Sequence, residues 1–148
     1  MTGSDSAGGR SIWKDRRVVL STLWVFVVLN FLYADVFTLF FDPAAQTQTA
    51  DLSSGAVLFF AVIMETAMLM VLLSRVLPEG WNRWVNIGAA ILHTAVLAWS
   101  LTGSEVTSFY AFFVTVEIAT LLFVVGYAWS WRRQRATQPL AVARAAAE

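Results

Sequence analysis

The sequence contains no cysteine and only one histidine. Without cysteine the chain forms no disulfide, no thiolate metal site, no haem thioether link and no thiol nucleophile. A single histidine also excludes a haem that is held by two histidines of one chain. The ten basic and ten acidic residues balance, and no basic tract lies within a folded region, so we expect no nucleic-acid partner.

Charge is scarce and apolar side chains are abundant. Charged residues make up 14% and hydrophobic residues 58% of the 148 residues, with a mean hydropathy of +0.65. A soluble domain has about 25% charged and about 45–50% apolar residues. A chain this small cannot hide so much apolar surface from water. The composition therefore predicts an integral membrane protein.

Four apolar stretches cover residues 18–41, 56–77, 84–101 and 108–131. Each is close to the ~20 residues that a helix needs to cross the hydrocarbon layer. Short connections make successive helices antiparallel neighbours. We therefore predict an all-α integral membrane fold, an antiparallel bundle of four transmembrane helices. Residues 1–17 form a polar arm without the apolar core of a signal peptide, and residues 132–148 form a tail.

Basic residues predict the orientation of this bundle. All ten lie in the N-terminal arm, the second connection or the C-terminal tail: Arg10, Lys14, Arg16, Arg17, Arg75, Arg83, Arg132, Arg133, Arg135 and Arg144. The positive-inside rule places both termini in the cytoplasm. Tryptophans at the same ends, among them Trp84 and Trp129, are expected to anchor the helices at the membrane interface.

Each predicted span carries one ionisable residue, namely Asp35, Glu65, His93 or Glu117. A charged side chain at the centre of a bilayer costs at least about 2.5–3.5 kcal/mol, so four of them need a compensating arrangement. At 1.5 Å per residue, Glu65, His93 and Glu117 lie near the midplane and Asp35 lies nearer the outer face. Each shares a helix face with small or polar residues, so we expect the four to meet in one layer.

An acid and a base in this layer can perform proton transfer. A desolvated carboxyl group favours its protonated form, and two neighbouring carboxyls can share a proton. We therefore predict four catalytic residues: Asp35, Glu65, His93 and Glu117. Aromatic faces can stabilise a transient cation, and we predict five substrate-binding residues: Asn30, Phe31, Asn86, Tyr110 and Phe113.

Metal chemistry fits the pattern less well. A di-iron bundle needs Glu-x-x-His pairs, but Glu65 is followed three residues later by Met68, and Glu117 by Thr120. A mononuclear site made from the four ionisable residues is the remaining alternative. We expect neither a metal nor a cofactor.

Two segments of the first predicted span resemble a known group of membrane proteins. Residues 20–24 (LSTLW) and 30–36 (NFLYADV) resemble the opening of a group of small, uncharacterised bacterial four-helix membrane proteins. This resemblance implies the architecture and the plasma membrane of a bacterium, but no activity.

A second resemblance, in pattern only, is to the emopamil-binding and sigma-2 receptor group, the EXPERA domain. Those proteins have an acid on the first helix, a Glu on the second and a His on the third, which correspond here to Asp35, Glu65 and His93. Glu117 has no counterpart there. The resemblance implies a lipid-accessible cavity for a sterol-like or amine ligand and, in some members, double-bond isomerisation by proton transfer.

The residues thus favour an intramembrane protein that binds a lipid or another lipophilic molecule. We expect isomerisation or cyclisation of an isoprenoid-like or sterol-like substrate by proton transfer. One alternative is a proton- or cation-coupled transporter or channel subunit, in which the four ionisable residues form a relay. Another is an accessory subunit whose polar layer sets the helix register. Gly88, Ala89 and Ala90 would allow close contact with a second copy.

Overall fold

The computed structural model describes residues 15–102 and 106–145, and its side chains except those of residues 48, 49 and 131–145. Five helices cover almost all of these residues: α1 (Arg16–Phe41), α2 (Pro43–Ala50), α3 (Ser54–Val76), α4 (Glu79–Ser100) and α5 (Ser108–Ala145). No strand occurs within the described ranges, which confirms the all-helical prediction. Most of the predicted N-terminal arm, residues 1–14, lies outside the described residues.

Local capping signals explain where the helices begin. The Asp15 carboxylate accepts a hydrogen bond from the Arg17 amide at 3.1 Å and caps α1. Asp42 caps α2 in the same way, by accepting from the amides of Ala44 and Ala45 at 3.1 and 3.0 Å. Residues 42–55 lie in the predicted short connection between the first two apolar stretches. Asp42 followed by a proline is nevertheless a helix-start signal, and α2 forms there.

The four long helices form a ring in chain order. Helix α1 contacts α3 and α5, α4 contacts the same two helices, and α2 packs against α1. The buried apolar residues between them include Leu20, Trp24, Val27, Ala67, Met70, Ile87, Ala90, Val114, Leu121, Val124 and Ala128. Six polar or ionisable residues are buried with them: Ser21, Ser74, Asn82, Asn86, His93 and Glu117. This arrangement leaves the outer faces of the helices apolar and exposed.

Three helical segments are long and apolar enough to cross a membrane: Arg16–Phe41, Ser54–Val76 and Ser108–Ser130. Their exposed faces carry large apolar side chains such as Leu29, Phe59 and Phe123, as contact with lipid requires. Helix α4 does not meet the same criterion, because Glu79, Arg83 and other polar residues lower its hydropathy. The structure therefore supports three of the four predicted spans.

The bundle is packed tightly at one end and loosely at the other. We call the end that contains Arg16, Arg75 and Arg83 the arginine end, and the opposite end the α2 end. Helix α3 buries Ala67, Met70 and Ser74 toward the arginine end. Between residues 54 and 66 none of its side chains is fully buried. The core is thus incomplete at the α2 end.

Candidate functional site

A cavity of about 530 Å³ occupies the α2 end of the bundle, between the four long helices. This volume lies within the about 300–1,000 Å³ that is typical of small-molecule pockets. Apolar side chains from all of these helices except α5 form most of the wall, including Phe31, Ala34, Phe60, Met64 and Leu97. Five lining residues carry polar side-chain atoms: Asp35, His93, Ser100, Tyr110 and Glu117.

Glu117 is the buried carboxyl group of this wall. It lies on the inward face of α5 between Val114 and Leu121, and only 1% of its surface is exposed. Its Oε1 atom is buried and has no hydrogen-bond partner among the described residues. A buried polar atom without a partner is destabilising by about 1–3 kcal/mol, and more when it is charged. A group of this kind is typical of a binding site or an ion pathway.

His93 is held in a defined orientation on α4. Its ring stacks on Phe31 with the centroids 5.5 Å apart, and the edge of Trp24 packs against it at 5.6 Å. Its Nε2 atom lies 3.0 Å from the Thr66 hydroxyl oxygen, which in turn lies 2.6 Å from the Ile63 carbonyl oxygen. A carbonyl can only accept, so the Thr66 hydroxyl donates to Ile63 and accepts from Nε2. The neutral ring therefore carries its lone pair on Nδ1, which can act as a base.

Asp35 lies at the mouth of the cavity. It follows Phe31 by about one turn of α1, lines the cavity and is exposed on its other side. Its carboxyl group is within electrostatic range of Glu117. The cavity thus has one carboxyl group at its opening and another in its interior.

Tyr110 and Ser100 join α5 to α4 in the cavity wall. The Tyr110 hydroxyl lies 2.8 Å from Ser100 Oγ, which lies 2.7 Å from the Leu97 carbonyl oxygen. Ser100 therefore donates to Leu97 and accepts from Tyr110. The oxygen of Tyr110, a residue that lines the cavity, keeps an unused lone pair.

A second cluster of buried polar groups lies toward the arginine end. Trp24 Nε1 and Ser74 Oγ both donate to Asn86 Oδ1, at 2.7 and 3.1 Å. The Asn86 amide nitrogen donates to Asn82, at 2.8 Å to its backbone oxygen and 2.6 Å to its side-chain oxygen. The Asn82 amide nitrogen donates to the Ser74 carbonyl oxygen at 2.6 Å. These groups satisfy one another, which is the arrangement of a structural network.

Five of the nine predicted site residues line the cavity: Phe31, Asp35, His93, Tyr110 and Glu117. The other four, Asn30, Glu65, Asn86 and Phe113, do not line it. Asn86 belongs to the network toward the arginine end. Asn30 donates to the Phe26 carbonyl oxygen of its own helix at 2.9 Å. Phe113 packs against Phe37 with the ring centroids 5.5 Å apart.

The expected position of Glu65 needs correction. The sequence prediction places Glu65 in the inward layer of ionisable residues, but its side chain is exposed. Met68, Leu69 and Leu72, on the same face of α3, are exposed as well. The residue after Glu65, Thr66, is the one that contacts His93. One residue corresponds to 100° of rotation, so the two neighbours occupy different faces of the helix.

Sequence reasoning missed Thr66 as a partner of His93. A signal for the inward face of α3 does exist in the sequence. Thr66 and Ser74 are the only residues with a hydroxyl group between positions 57 and 77, and both bond to α4. In a lipid-exposed helix, hydroxyl groups are favoured on the face that meets another helix.

The fold and the cavity define a small, all-helical membrane protein with a ligand-sized chamber between its helices. The chain belongs to a family of unknown function, DUF6326, whose model matches residues 11–138. This agrees with the expected membership in an uncharacterised family and gives no link to the EXPERA group. No curated protein and no solved structure matches the chain.

Proposed function

We propose that the protein binds a lipophilic small molecule inside the membrane and exchanges a proton with it through Glu117 and His93. The observation that carries this proposal is the buried Oε1 atom of Glu117, which lacks a partner within the described chain although its residue lines a 530 Å³ cavity. The Glu117 side chain lines the cavity, so a ligand there can supply the missing interaction once the carboxyl group turns Oε1 toward it. His93 Nδ1 provides a base in the same wall.

An acid and a base on one apolar chamber suit rearrangement of an isoprenoid-like or sterol-like alkene. Neutral Glu117 donates its proton to one alkene carbon, which leaves a positive charge on the other. Phe31 and Tyr110 line the chamber and can stabilise this cation through their π faces, by about 0.5–2 kcal/mol each. His93 then removes a proton from the adjacent carbon, and the double bond reforms at a new position or within a new ring.

We also propose that α4 is a fourth membrane span and that both termini are cytoplasmic. The polar residues Asn82, Asn86 and His93 lower the hydropathy of α4, but all three are buried, with at most 1% of their surface exposed. Its exposed side includes Trp84, Ile91, Leu92 and Trp99, which suit lipid contact and interfacial anchoring. The basic residues favour a cytoplasmic arginine end, in the plasma membrane of a bacterium.

A proton or cation relay is the second candidate, and the proximity of Asp35 and Glu117 favours it. A relay needs a continuation of polar groups toward the opposite membrane surface. Beyond His93 the inward side chains of the described residues are apolar, apart from Ser21, Trp24 and the paired Asn86 network. Since this network has no titratable member, the geometry supports a chamber that ends at His93 better than a path through the bundle.

Small molecules that co-purify with the protein test the proposal. Wild type, Glu117→Gln and Glu65→Gln are purified in mild detergent, and their bound molecules are identified by mass spectrometry. Glu65→Gln is the matched control, because it makes the same change on the exposed face of α3. We expect a defined isoprenoid- or sterol-like species, enriched over bulk lipid, whose isomer composition changes in Glu117→Gln but not in Glu65→Gln.

Two results would contradict the proposal in different ways. If all three samples contain phospholipid alone, the proposal that the cavity binds a specific lipophilic molecule is wrong. If the isomer composition is identical in all three samples, Glu117 does not transfer a proton to the ligand. The proposal is then reduced to binding of the ligand.

A further inference from the structure

The hydrogen-bond directions in the cavity wall restrict the chemistry of its ligand. The Ser100 hydroxyl proton is used by the Leu97 carbonyl, and the Tyr110 hydroxyl proton is used by Ser100. The N–H group of His93 is used by Thr66. These donors are therefore all satisfied within the protein.

The polar atoms that remain are acceptors. They are the lone pairs of His93 Nδ1 and the Tyr110 oxygen, together with the carboxyl oxygens of Asp35 and Glu117. Among the described lining side chains, the wall offers a further donor only where the Glu117 or Asp35 carboxyl group is neutral and holds a proton. No lysine or arginine occurs among the described residues that line the cavity.

We propose that the ligand of this cavity has an apolar body and a head group that donates a hydrogen bond and carries no negative charge. An alcohol or a protonated amine meets this requirement. The inference rests on the proposed function, since it names the ligand class of the same cavity. A hydroxyl group suits both forms of Glu117, because it can donate to His93 or a carboxylate and can accept from a neutral carboxyl group.

An anionic head group would interact unfavourably with the carboxyl groups and other acceptors of the cavity wall. A carboxylate or phosphate would lie between Asp35 and Glu117 without a cation in the described lining to balance it. It would also supply further acceptors to a site that already has an excess of them. A site built to bind a hydroxyl group discriminates strongly against analogues that lack it, because its own polar groups are then left unpaired.

A series of probes with one tail and different head groups tests this inference. The full chain in nanodiscs is photolabelled with 1-dodecanol that carries a diazirine in its chain, and the labelled residues are mapped by mass spectrometry. The competitors are 1-dodecanol, dodecylamine, methyl dodecyl ether and dodecanoate. We expect the alcohol and the amine to compete at concentrations at least about tenfold lower than the ether and the carboxylate.

Two variants sharpen the experiment. Asp35→Asn changes an exposed residue at the mouth of the cavity, so this variant is expected to fold. Because it removes a negative charge, dodecanoate should compete at a concentration at least about threefold lower than in wild type. Competition by the uncharged ether should not change in this variant. Glu65→Gln, outside the cavity, should leave all four competitors unchanged.

The outcomes distinguish the head-group preference of the cavity from the existence of a ligand pocket. If the ether or the carboxylate competes as well as the alcohol for label on cavity residues, the head-group inference is overturned while the pocket stands. If the dodecanol probe labels no residue of the cavity wall, the pocket itself is wrong and the proposed function fails with it.

Discussion

Glu117 and Asn86 are two polar residues with nearly the same burial in one small bundle, at 1% and 0% exposure. Every polar group of the Asn86 side chain is paired, with Trp24, Ser74 and Asn82. The Oε1 atom of Glu117 is not paired within the described residues. The first pattern stabilises a fold and the second destabilises it, so the second requires a functional reason.

Replacement of Glu117 by an apolar residue of similar size should stabilise the protein and remove the proposed proton transfer. We expect Glu117→Met to raise the free energy of unfolding by about 1–3 kcal/mol, because it removes a buried group without a partner. Thermal unfolding in detergent measures this change. Glu65→Met, on the exposed face, should differ from wild type by less than about 0.5 kcal/mol. Destabilisation by Glu117→Met would mean that its carboxyl joins the helices as a structural group.

At the scale of helices, the two halves of α3 differ in the number of side-chain hydrogen bonds to neighbouring helices, and this difference explains the loose packing at the α2 end. Toward the arginine end, α3 is tied to α1 by Ser21, which donates to the Val71 carbonyl at 2.9 Å and accepts from Arg75 at 3.0 Å. It is tied to α4 there by Ser74 and Asn82. In the other half, Thr66 and His93 form the one side-chain hydrogen bond between α3 and α4 within the described residues. The first half of α3 is thus held to α4 by fewer side-chain hydrogen bonds than the second half.

The Asn86 network should carry much of the stability of helix packing. Asn86→Ala leaves Trp24 and Ser74 without an acceptor, and we expect a loss of about 1–3 kcal/mol for each unsatisfied group. Asn30→Ala is the matched control, because Asn30 bonds only to its own helix among the described residues. Its effect should stay below about 0.5 kcal/mol. Unfolding in mixed micelles measures both variants, and equal effects would show that the network does not join the helices.

At the scale of the whole molecule, charge is separated along the bundle axis. Among the described side chains, Arg16, Arg17, Arg75 and Arg83 all lie at the arginine end, where aromatic rings hold some of them in place. Arg83 packs over Trp84 and Trp129 at 4.9 and 4.8 Å from the ring centroids. Guanidinium groups and tryptophan rings together are typical of a membrane–water interface, and this asymmetry favours a single orientation.

Single cysteines can test the orientation and the fourth span, because the natural chain has no other thiol. Thr47, Gly80 and Thr102 are exposed. Thr47 lies in α2, Gly80 in the first turn of α4, and Thr102 just after the end of α4. A membrane-impermeant maleimide on intact cells should label Thr47→Cys and Thr102→Cys, and should label Gly80→Cys only after permeabilisation. If Thr102→Cys behaves like Gly80→Cys, α4 does not cross the membrane. The inverse pattern at all three positions would reverse the orientation.

Several features could be predicted from local sequence. The apolar stretches coincide with the long helices, and Asp35, His93 and Glu117 could be singled out because ionisable residues are costly in an apolar segment. Local sequence did not reveal the contact between Thr66 and His93, which joins residues 27 positions apart on different helices. It also did not show that Asn86 is fully paired, since its partners come from three helices.

The sequence by itself determined that this protein is helical and belongs in a membrane, because composition and helix length set those properties segment by segment. Only the tertiary structure decided which glutamate faces the cavity. Glu65 and Glu117 both lie in apolar helices and look alike locally. Packing of Ala67, Met70 and Ser74 in the core turns Glu65 outward, whereas burial of Val114 and Leu121 turns Glu117 inward. The rotation of a helix about its own axis depends on its neighbours, and one residue of difference changes it by 100°.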